Sequence, residues 1–301
     1  MKIAYLIAAH TDPLHLRRLI SALEIPEVTD FYIHIDKRVD IAAFTGLGGG
    51  KIINKRVLVQ WAGFSQCQYQ KALIDECLAS NIEYDRVFFL SGLDYPLWSN
   101  NEIVEYLTEK PSKELICGFD ISACFKPTKI REKFILYHFF RDMPTRNNQF
   151  KRLFSGSARL LMRLLPFRKK PYIELSSGKR MDIYMGSSWW CITGGCLRFV
   201  RQNWTPQIES YFKTCFAPDE MLIQTIIFNS PFKDNAILYT GSYPGLVGLT
   251  PLHLIEYNGS IKVFNDADLS MIENSKKMFF RKAISGVSDK LLDIIDSRRR
   301  I

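Results

Sequence analysis

A chain of 301 residues, 47% of them hydrophobic, is long enough to bury a sizeable core, which excludes a disordered or fibrous protein. Its 40 Lys and Arg against 31 Asp and Glu give a net charge of +9, which favours an anionic partner without choosing among nucleic acid, a phosphorylated small molecule and an acidic membrane. Seven scattered cysteines (Cys67, Cys77, Cys117, Cys124, Cys191, Cys196 and Cys215), with no CxxC pair and no His at metal-ligand spacing, argue against a disulfide frame or zinc site and read as buried thiols of a reducing compartment.

The chain opens on a short apolar run, Ile3 to Ala9, that turns polar at His10 and Asp12. It is too short and too abruptly polar for a signal peptide and reads as a buried strand over Lys2 to Ala9. Asp12 and Pro13 then supply an N-cap and first-turn pair for a helix to about Leu23. Strands follow at Phe31 to Asp36 and at Val57 to Trp61, and a helix from about Ser65 to Ala79. The continuous apolar run Arg86 to Leu90 is another strand, and Ser99 with Glu102 forms a capping box for the next helix. A strand at Glu114 to Phe119 extends the series. Strands alternating with helices in this way predict a mostly parallel α/β sheet covered on both faces, with ligands at the carboxyl ends of its strands.

The second half is less regular. From Phe150 to Leu165, Leu153, Phe154, Leu161, Leu164 and Leu165 share one helical face and Arg152, Arg159 and Arg163 another, with RKKP immediately after. Such a basic amphipathic helix can lie on an anionic membrane, and it can equally be a surface helix packed on the core. Met181 to Gly195 reads as a strand with a glycine-rich exit, Phe216 to Phe232 as a helical stretch with Asp219 and Glu220 after Pro218 at its start, and Ala236 to Thr240 as a strand before a Gly/Pro-rich loop and two short helices. No apolar stretch is long enough to cross a bilayer, so the expected location is cytoplasmic, at most peripheral to a membrane.

Three strands end in groups suited to a nucleoside pocket: His34, Asp36 and Lys37; Trp61; and Ser91, Gly92 and Asp94. A carboxylate can accept from a base or ribose and an aromatic ring can stack on a base, although a strand-end Asp also occurs in turns and Trp61 can be core. The chain has no GxGxxG after its first strand, no GxxxxGK[ST] and no GxSxG, which weighs against dinucleotide dehydrogenases, P-loop enzymes and serine hydrolases. It also has no RNP, KH or helix-turn-helix pattern to turn its charge toward nucleic acid.

Seven stretches occur in an order that resembles the core-2/I-branching glycosyltransferase family: AYLIAAH (Ala4 to His10), HIDK (His34 to Lys37), WAGFS (Trp61 to Ser65), FFLSGLDYPL (Phe88 to Leu97), GSSWWCIT (Gly186 to Thr193), PDEMLIQTIIFNSP (Pro218 to Pro231) and FFRK (Phe279 to Lys282). The family includes β-1,6-N-acetylglucosaminyltransferases and peptide-O-xylosyltransferases. The resemblance implies a single GT-A-type catalytic domain over residues 1–301, with a nucleotide-binding half at 1–125 and an acceptor-binding and catalytic half at 126–301. It implies an inverting transfer from a UDP-sugar, GlcNAc first and xylose second, to a glycan or lipid-linked glycan.

Carried over by motif, Asp36 binds the uridine, Trp61 lies near the uracil, Glu220 is the catalytic base and Lys282 contacts the diphosphate. Ala8 and His10 close the first strand beside the nucleotide. The family's second basic diphosphate ligand falls nearest Lys262, with Arg281 as a competing candidate. Asp94 stands where other GT-A enzymes carry a metal-binding Asp-x-Asp; branching enzymes lack that motif and use basic side chains instead, so no divalent metal and no other cofactor is expected. Asp266-Ala267-Asp268 is read as a helix cap rather than a metal site. Trp189 and Trp190 offer stacking faces to an acceptor sugar, one of them at most if they lie on a strand, and Arg141 lies in the stretch that shapes the acceptor site in relatives. Asp219 is left to favour the helix N-terminus. A catalytically inactive UDP-sugar-binding protein and a nucleic-acid-binding protein are the alternatives.

Overall fold

A computed structural model describes residues 1–122, 136–143, 149–165 and 167–299. Cys124 and the predicted junction of the two halves at 125–126 lie outside these residues. The central sheet is built on β1 (Ile3–Ala9), β2 (Thr29–Ile35), β3 (Gly50–Ile52) and β4 (Arg86–Ser91), parallel in the order β4-β1-β2-β3. The chain then leaves this sheet through β5 (Asp94–Pro96), β6 (Cys117–Asp120) and β7 (Tyr184–Met185), and returns as β8 (Trp190–Thr193), antiparallel at the outer edge of β4.

The near-continuous apolar reading of these strands is explained by cover on both faces. Along β1 alternate residues divide between two cores: Ala4 and Leu6 meet the layer containing the helix Ser65–Ala79, while Ile3, Tyr5 and Ile7 meet the helices Pro13–Leu23 and Asp289–Arg299. Tyr5 stacks between its register partners Phe31 on β2 and Phe88 on β4, at 5.3 and 5.0 Å between centroids. Each such pair contributes about 0.5–1.5 kcal/mol beyond burial.

Two predicted strands end up elsewhere. Val57 to Trp61 forms no ladder, because the place beside β2 is occupied by β3 and then by Ile53, whose N–H donates to the Ile33 carbonyl. That stretch is held instead by single bonds, Val57 N–H to His34 Nε2 at 2.8 Å and Lys37 N–H to the Val57 carbonyl at 3.0 Å. The predicted strand Glu114 to Phe119 does not extend the central sheet, since β8 already occupies the edge of β4. It forms as β6 in a second sheet, between β7 and β9 (Ile237–Tyr239), and meets the central sheet through a bridge from Leu115 to Cys191 and through the Glu114 carboxylate, which accepts from Thr193 N–H and Oγ1 at 2.7 Å each. The single strand predicted from Met181 breaks at Gly186–Trp189, and its glycine exit is the start of the helix Gly194–Asn203, capped by Thr193.

A third sheet holds β10 (His253–Ile255), β11 (Phe279–Arg281) and β5, with β11 antiparallel to β5 so that Arg281 pairs with Asp94 in register. It carries the C-terminal basic segment back to the end of β4. The helix predicted over Phe150 to Leu165 forms at Gln149–Leu164, but its leucines and phenylalanines face outward rather than onto the core.

The helix Ser65–Ala79 starts without a cap from its own N-terminal residue. Asp142, distant in sequence, replaces it, accepting from Phe64 N–H at 3.0 Å and Ser65 N–H at 2.9 Å. At Gly63 a Cβ would collide with the same carboxylate, which accounts for the glycine. Asp142→Ala is expected to destabilise the fold by about 0.5–2 kcal/mol, the usual cost of a lost N-cap, read as a lower urea midpoint at unchanged slope. An unchanged midpoint would show that the cap is dispensable.

Candidate active site

The carboxyl ends of β1, β2 and β4 come together because they are parallel and in register, with Ala8 paired to both His34 and Ser91. The chain leaving β2 folds back at once: Asp36 N–H donates to the Ala9 carbonyl, and Arg56 gathers the carbonyls of Ile35, Asp36 and Val39. His34 is buried against the Tyr69 ring and accepts through Nε2, and burial pushes its pKa down to about 4. It is a structural residue in its neutral form.

Asp36 is buried at the strand end and gripped by Arg38, whose N–H, Nε and guanidinium nitrogen donate to the two carboxylate oxygens at 2.9, 3.1 and 2.7 Å. Burial would raise its pKa, but these bonds outweigh it and hold the carboxyl below its ordinary value. His10, exposed at the end of β1, has its pKa lowered by partial burial and by the charges of Arg38, Lys282 and Arg281, against the opposing pull of Asp36. The first strand, the second strand and the C-terminal basic pair therefore share one electrostatic neighbourhood.

Asp94 has no surface exposed. Its Oδ2 accepts from Ser91 N–H at 2.7 Å and lies 3.0 Å from His253 Nε2, while Oδ1 faces Arg281 Nε at 3.5 Å. Burial opposes ionisation, yet the neighbouring His253 and Arg281 outweigh it and keep the carboxyl below its usual value. Asp94, predicted at the nucleotide, thus stands behind Arg281 and positions it. The guanidinium in turn lies 4.3 Å from the centre of the Trp189 ring, a cation–π arrangement.

Lys282, next in the chain, is half-buried, and no hydrogen bond or ion pair holds its ammonium among the described residues. Burial and then the adjacent Arg281 lower its pKa. Lys262 sits beside it through the backbone, its carbonyl accepting from Lys282 N–H at 3.1 Å. Its own ammonium is taken up by Asp268 at 2.6 Å and Glu256 at 3.5 Å. Of the two residues predicted to compete for the second cationic role, Lys262 is paired with two carboxylates, whereas Arg281, next to Lys282 in the chain, is buried and paired with Asp94 alone. The Asp266-Ala267-Asp268 stretch is a single 3-10 turn with Asn265 as N-cap and Asp268 completing the capping box. No cluster of three or more His, Cys, Asp or Glu able to hold a metal occurs among the described residues.

The two carboxylates after Pro218 separate sharply. Ala217 enters the turn with a left-handed φ of 46°, and Pro218–Glu220 form a 3-10 turn ahead of the helix Leu222–Phe228. Asp219 is not a cap, contrary to the sequence reading: the turn aims it inward, where Oδ2 accepts from Ser188 Oγ at 2.7 Å and Gln66 Nε2 at 3.0 Å. Its burial pushes its pKa up to about 6. Glu220 stays half-exposed, close enough to Tyr243 to raise the phenol's pKa behind the larger effect of burial. Its carbonyl accepts from Gly186 N–H at 2.8 Å, and Gln224 Nε2 donates to the Ser187 carbonyl at 2.6 Å. The strap Gly186–Trp189 is thus pinned at one end to the Glu220 turn and at the other lies under Arg281.

Trp189 and Trp190 both stack on Phe89, but Trp190 is wholly core and only Trp189 reaches the site. Trp61 is 77% exposed and meets Phe216 edge-on at 5.6 Å. Arg141 lies over the same Phe216 ring at 4.6 Å. Sequence reading missed Arg38, His253, Ser188 and Gln66. Arg38 stands two residues beyond Asp36, Ser188 inside GSSWWCIT and Gln66 directly after WAGFS, but none of these positions marks a role; His253 arrives from a segment whose proximity only the fold creates.

Residues 3–241 match the family described as Branch: Core-2/I-Branching enzyme. Human xylosyltransferase 2 (Homo sapiens) is 25% identical over 317 residues, covering 98% of this chain and 33% of that protein. A mouse (Mus musculus) beta-1,3-galactosyl-O-glycosyl-glycoprotein beta-1,6-N-acetylglucosaminyltransferase 4 is 23% identical over 239 residues, covering 75% of this chain and 46% of that protein. The chain therefore spans about a third of the length of the xylosyltransferases it matches. With a family match over well more than half its length, on a parallel α/β sheet whose strand ends gather the matched motifs, the chain belongs to the core-2/I-branching enzyme family of glycosyltransferases.

Proposed function

We propose that the protein transfers a sugar with inversion from a UDP-sugar to a hydroxyl of a glycan acceptor, with GlcNAc as the first donor to test and xylose, the sugar named by the human relative, as the second. The observation that carries this reading is the strap Gly186–Trp189, which ties the Glu220 turn to the stacking platform under Arg281. In one rigid piece it links a half-exposed carboxylate to a pair of adjacent cations.

An inverting transfer needs one base to take the proton of the attacking hydroxyl while the bond to the diphosphate breaks on the opposite face. Glu220 has that role in this reading. Arg281, held from behind by Asp94, and Lys282, without a carboxylate partner among the described residues, meet the negative charge that develops on the leaving diphosphate. A preformed pair of cations can do this work without a metal, which is the cofactor-free form of the proposal. Asp36 and Trp61 would take the uridine, with Arg38 shifting from Asp36 when the ribose hydroxyls arrive, and Ala8 and His10 would line the strand end. Trp189 and Arg141 are the candidates for acceptor contact. In this reading the protein works in a reducing compartment on an acceptor presented at the inner face of a membrane, and the six described cysteines are buried free thiols. No helix among the described residues is long and apolar enough to cross one.

A panel of UDP-sugars tests the reading directly. Glu220→Gln is expected to lower turnover about 10²–10⁴-fold while UDP affinity stays the same, and EDTA is expected to leave the wild-type rate unchanged. Full activity in the variant would remove the proposed base; loss in EDTA would overturn the metal-free mechanism. Lys282→Ala is expected to weaken UDP binding by about 1.5–3 kcal/mol, the range for a hydrogen bond to a charged group, in calorimetric titration. Equal affinity would take the lysine out of the diphosphate site.

Asp219 makes a separate, pH-dependent prediction. Burial lifts its pKa to about 6, above the ordinary 3.8, so the native state binds the proton more readily and gains stability as pH falls from 6 toward 4. Above pH 6 that contribution is lost. Asp219→Asn is expected to flatten this slope, by about 1–3 kcal/mol between the two pH values, in denaturant melts compared with wild type. Parallel pH profiles would mean that the carboxyl is ionised throughout.

A further inference from the structure

The helix Gln149–Leu164 turns its apolar face away from the protein. Phe150 is 87% exposed, Leu164 77% and Leu153 71%, and Phe154, Leu160 and Leu161 are each more than half exposed. At about 100° per residue these six positions fall within an arc of roughly 120°. Phe167, just beyond the helix, is exposed as well. A soluble surface does not ordinarily carry an apolar patch of this size without a partner to cover it.

Two further observations say what covers it. Between Met143 and Ile173 the chain has eight Lys and Arg and no Asp or Glu, and of these Lys169 turns inward to Tyr211, Thr214 and Cys215. An apolar helical stripe set in a segment of purely positive charge is the complement of an anionic lipid surface, whereas a second copy of the chain would bring like charge against like. The patch is also continuous with the candidate site. Phe154 meets Phe140 at 5.1 Å, Phe140 meets Phe139 at 6.3 Å and Phe139 stacks on Tyr137 at 5.6 Å; the adjoining His138 packs on Phe216, which carries Trp61 on its edge.

We infer that this helix lies in the interface of an anionic bilayer, its leucines and phenylalanines among the acyl chains, and that the docked protein receives an acceptor anchored in that same bilayer. The docking stands on the helix alone; only the nature of the acceptor rests on the transferase reading. Bound in this way the protein meets lipid-held acceptors on a surface rather than in bulk, and the aromatic run from Phe154 to Trp61 lies between bilayer and site.

The test is flotation of the full chain, without any sugar or nucleotide, with vesicles of phosphatidylcholine alone and of equal parts phosphatidylcholine and phosphatidylglycerol. The protein is expected to float with the anionic vesicles and not with the neutral ones, and the double variant Leu153→Glu, Leu164→Glu is expected to lose at least about tenfold in partition. Both side chains are exposed, so folding and turnover of a soluble acceptor should be unchanged in that variant. As a second readout, Phe154→Trp should show a blue shift and quenching by brominated lipid in anionic vesicles. Failure to float, equal binding by the double variant, absence of quenching, or a dimer in solution that the double variant dissociates would each overturn the docking. If the vesicles bind but no UDP-sugar is turned over, the docking stands and the transferase reading falls.

Discussion

The site depends on one buried ion pair. Asp94 has no contact with solvent, and an isolated carboxylate there would be strongly disfavoured. It is tolerated because β5 and β11 run antiparallel with Asp94 and Arg281 as register partners, and because Ser91 N–H and His253 satisfy the second oxygen. Removing either charge would leave the other buried and unpaired, which costs far more than the pair itself contributes. The pair therefore specifies a geometry more than it adds stability. It fixes the C-terminal segment against the end of β4, and through that the position of Lys282 and the platform of Trp189.

The parallel part of the central sheet was largely legible in the sequence. Short apolar runs alternating with helices fit strands covered on both faces, and the Asp12–Pro13 and Ser99–Glu102 signals are local chemistry that needs no tertiary context. What misled was competition for edges. Val57 to Trp61 and Glu114 to Phe119 both have strand composition, yet β3 and β8 occupy the edges they would have joined, and a sequence carries no statement of which segment arrives first at an edge. The outward-facing helix at Gln149–Leu164 was visible as an amphipathic pattern, but periodicity cannot tell which way the apolar side points.

The candidate site divides along the same line. Asp36, His10, Trp61 and Lys282 lie within or directly after short matched motifs, and the fold brings His10, Asp36 and the Arg281–Lys282 pair into one neighbourhood. Asp94 and Trp190 have motif positions as good as any of these but are withdrawn into the interior, one as a counter-ion and one as core. Asp219 shows why: a 3-10 turn changes the angle between successive residues from that of an α-helix, and the two neighbouring carboxylates part company, one inward to Ser188 and Gln66, the other left half-buried.

The fully buried position of Asp219 gives the strap Gly186–Trp189 a particular mechanical character. Ser188 is anchored by its hydroxyl, Ser187 by its carbonyl and Gly186 by its N–H, each to a different residue of the same turn and helix, and at Gly186 a Cβ would collide with the Cys117 carbonyl. A segment fixed at three consecutive residues has almost no independent freedom, so the carboxylate turn and the tryptophan platform can move only as one body. A substitution that loosens any one of these three anchors is then felt at both ends, at the carboxylate turn and at the Trp189 ring alike.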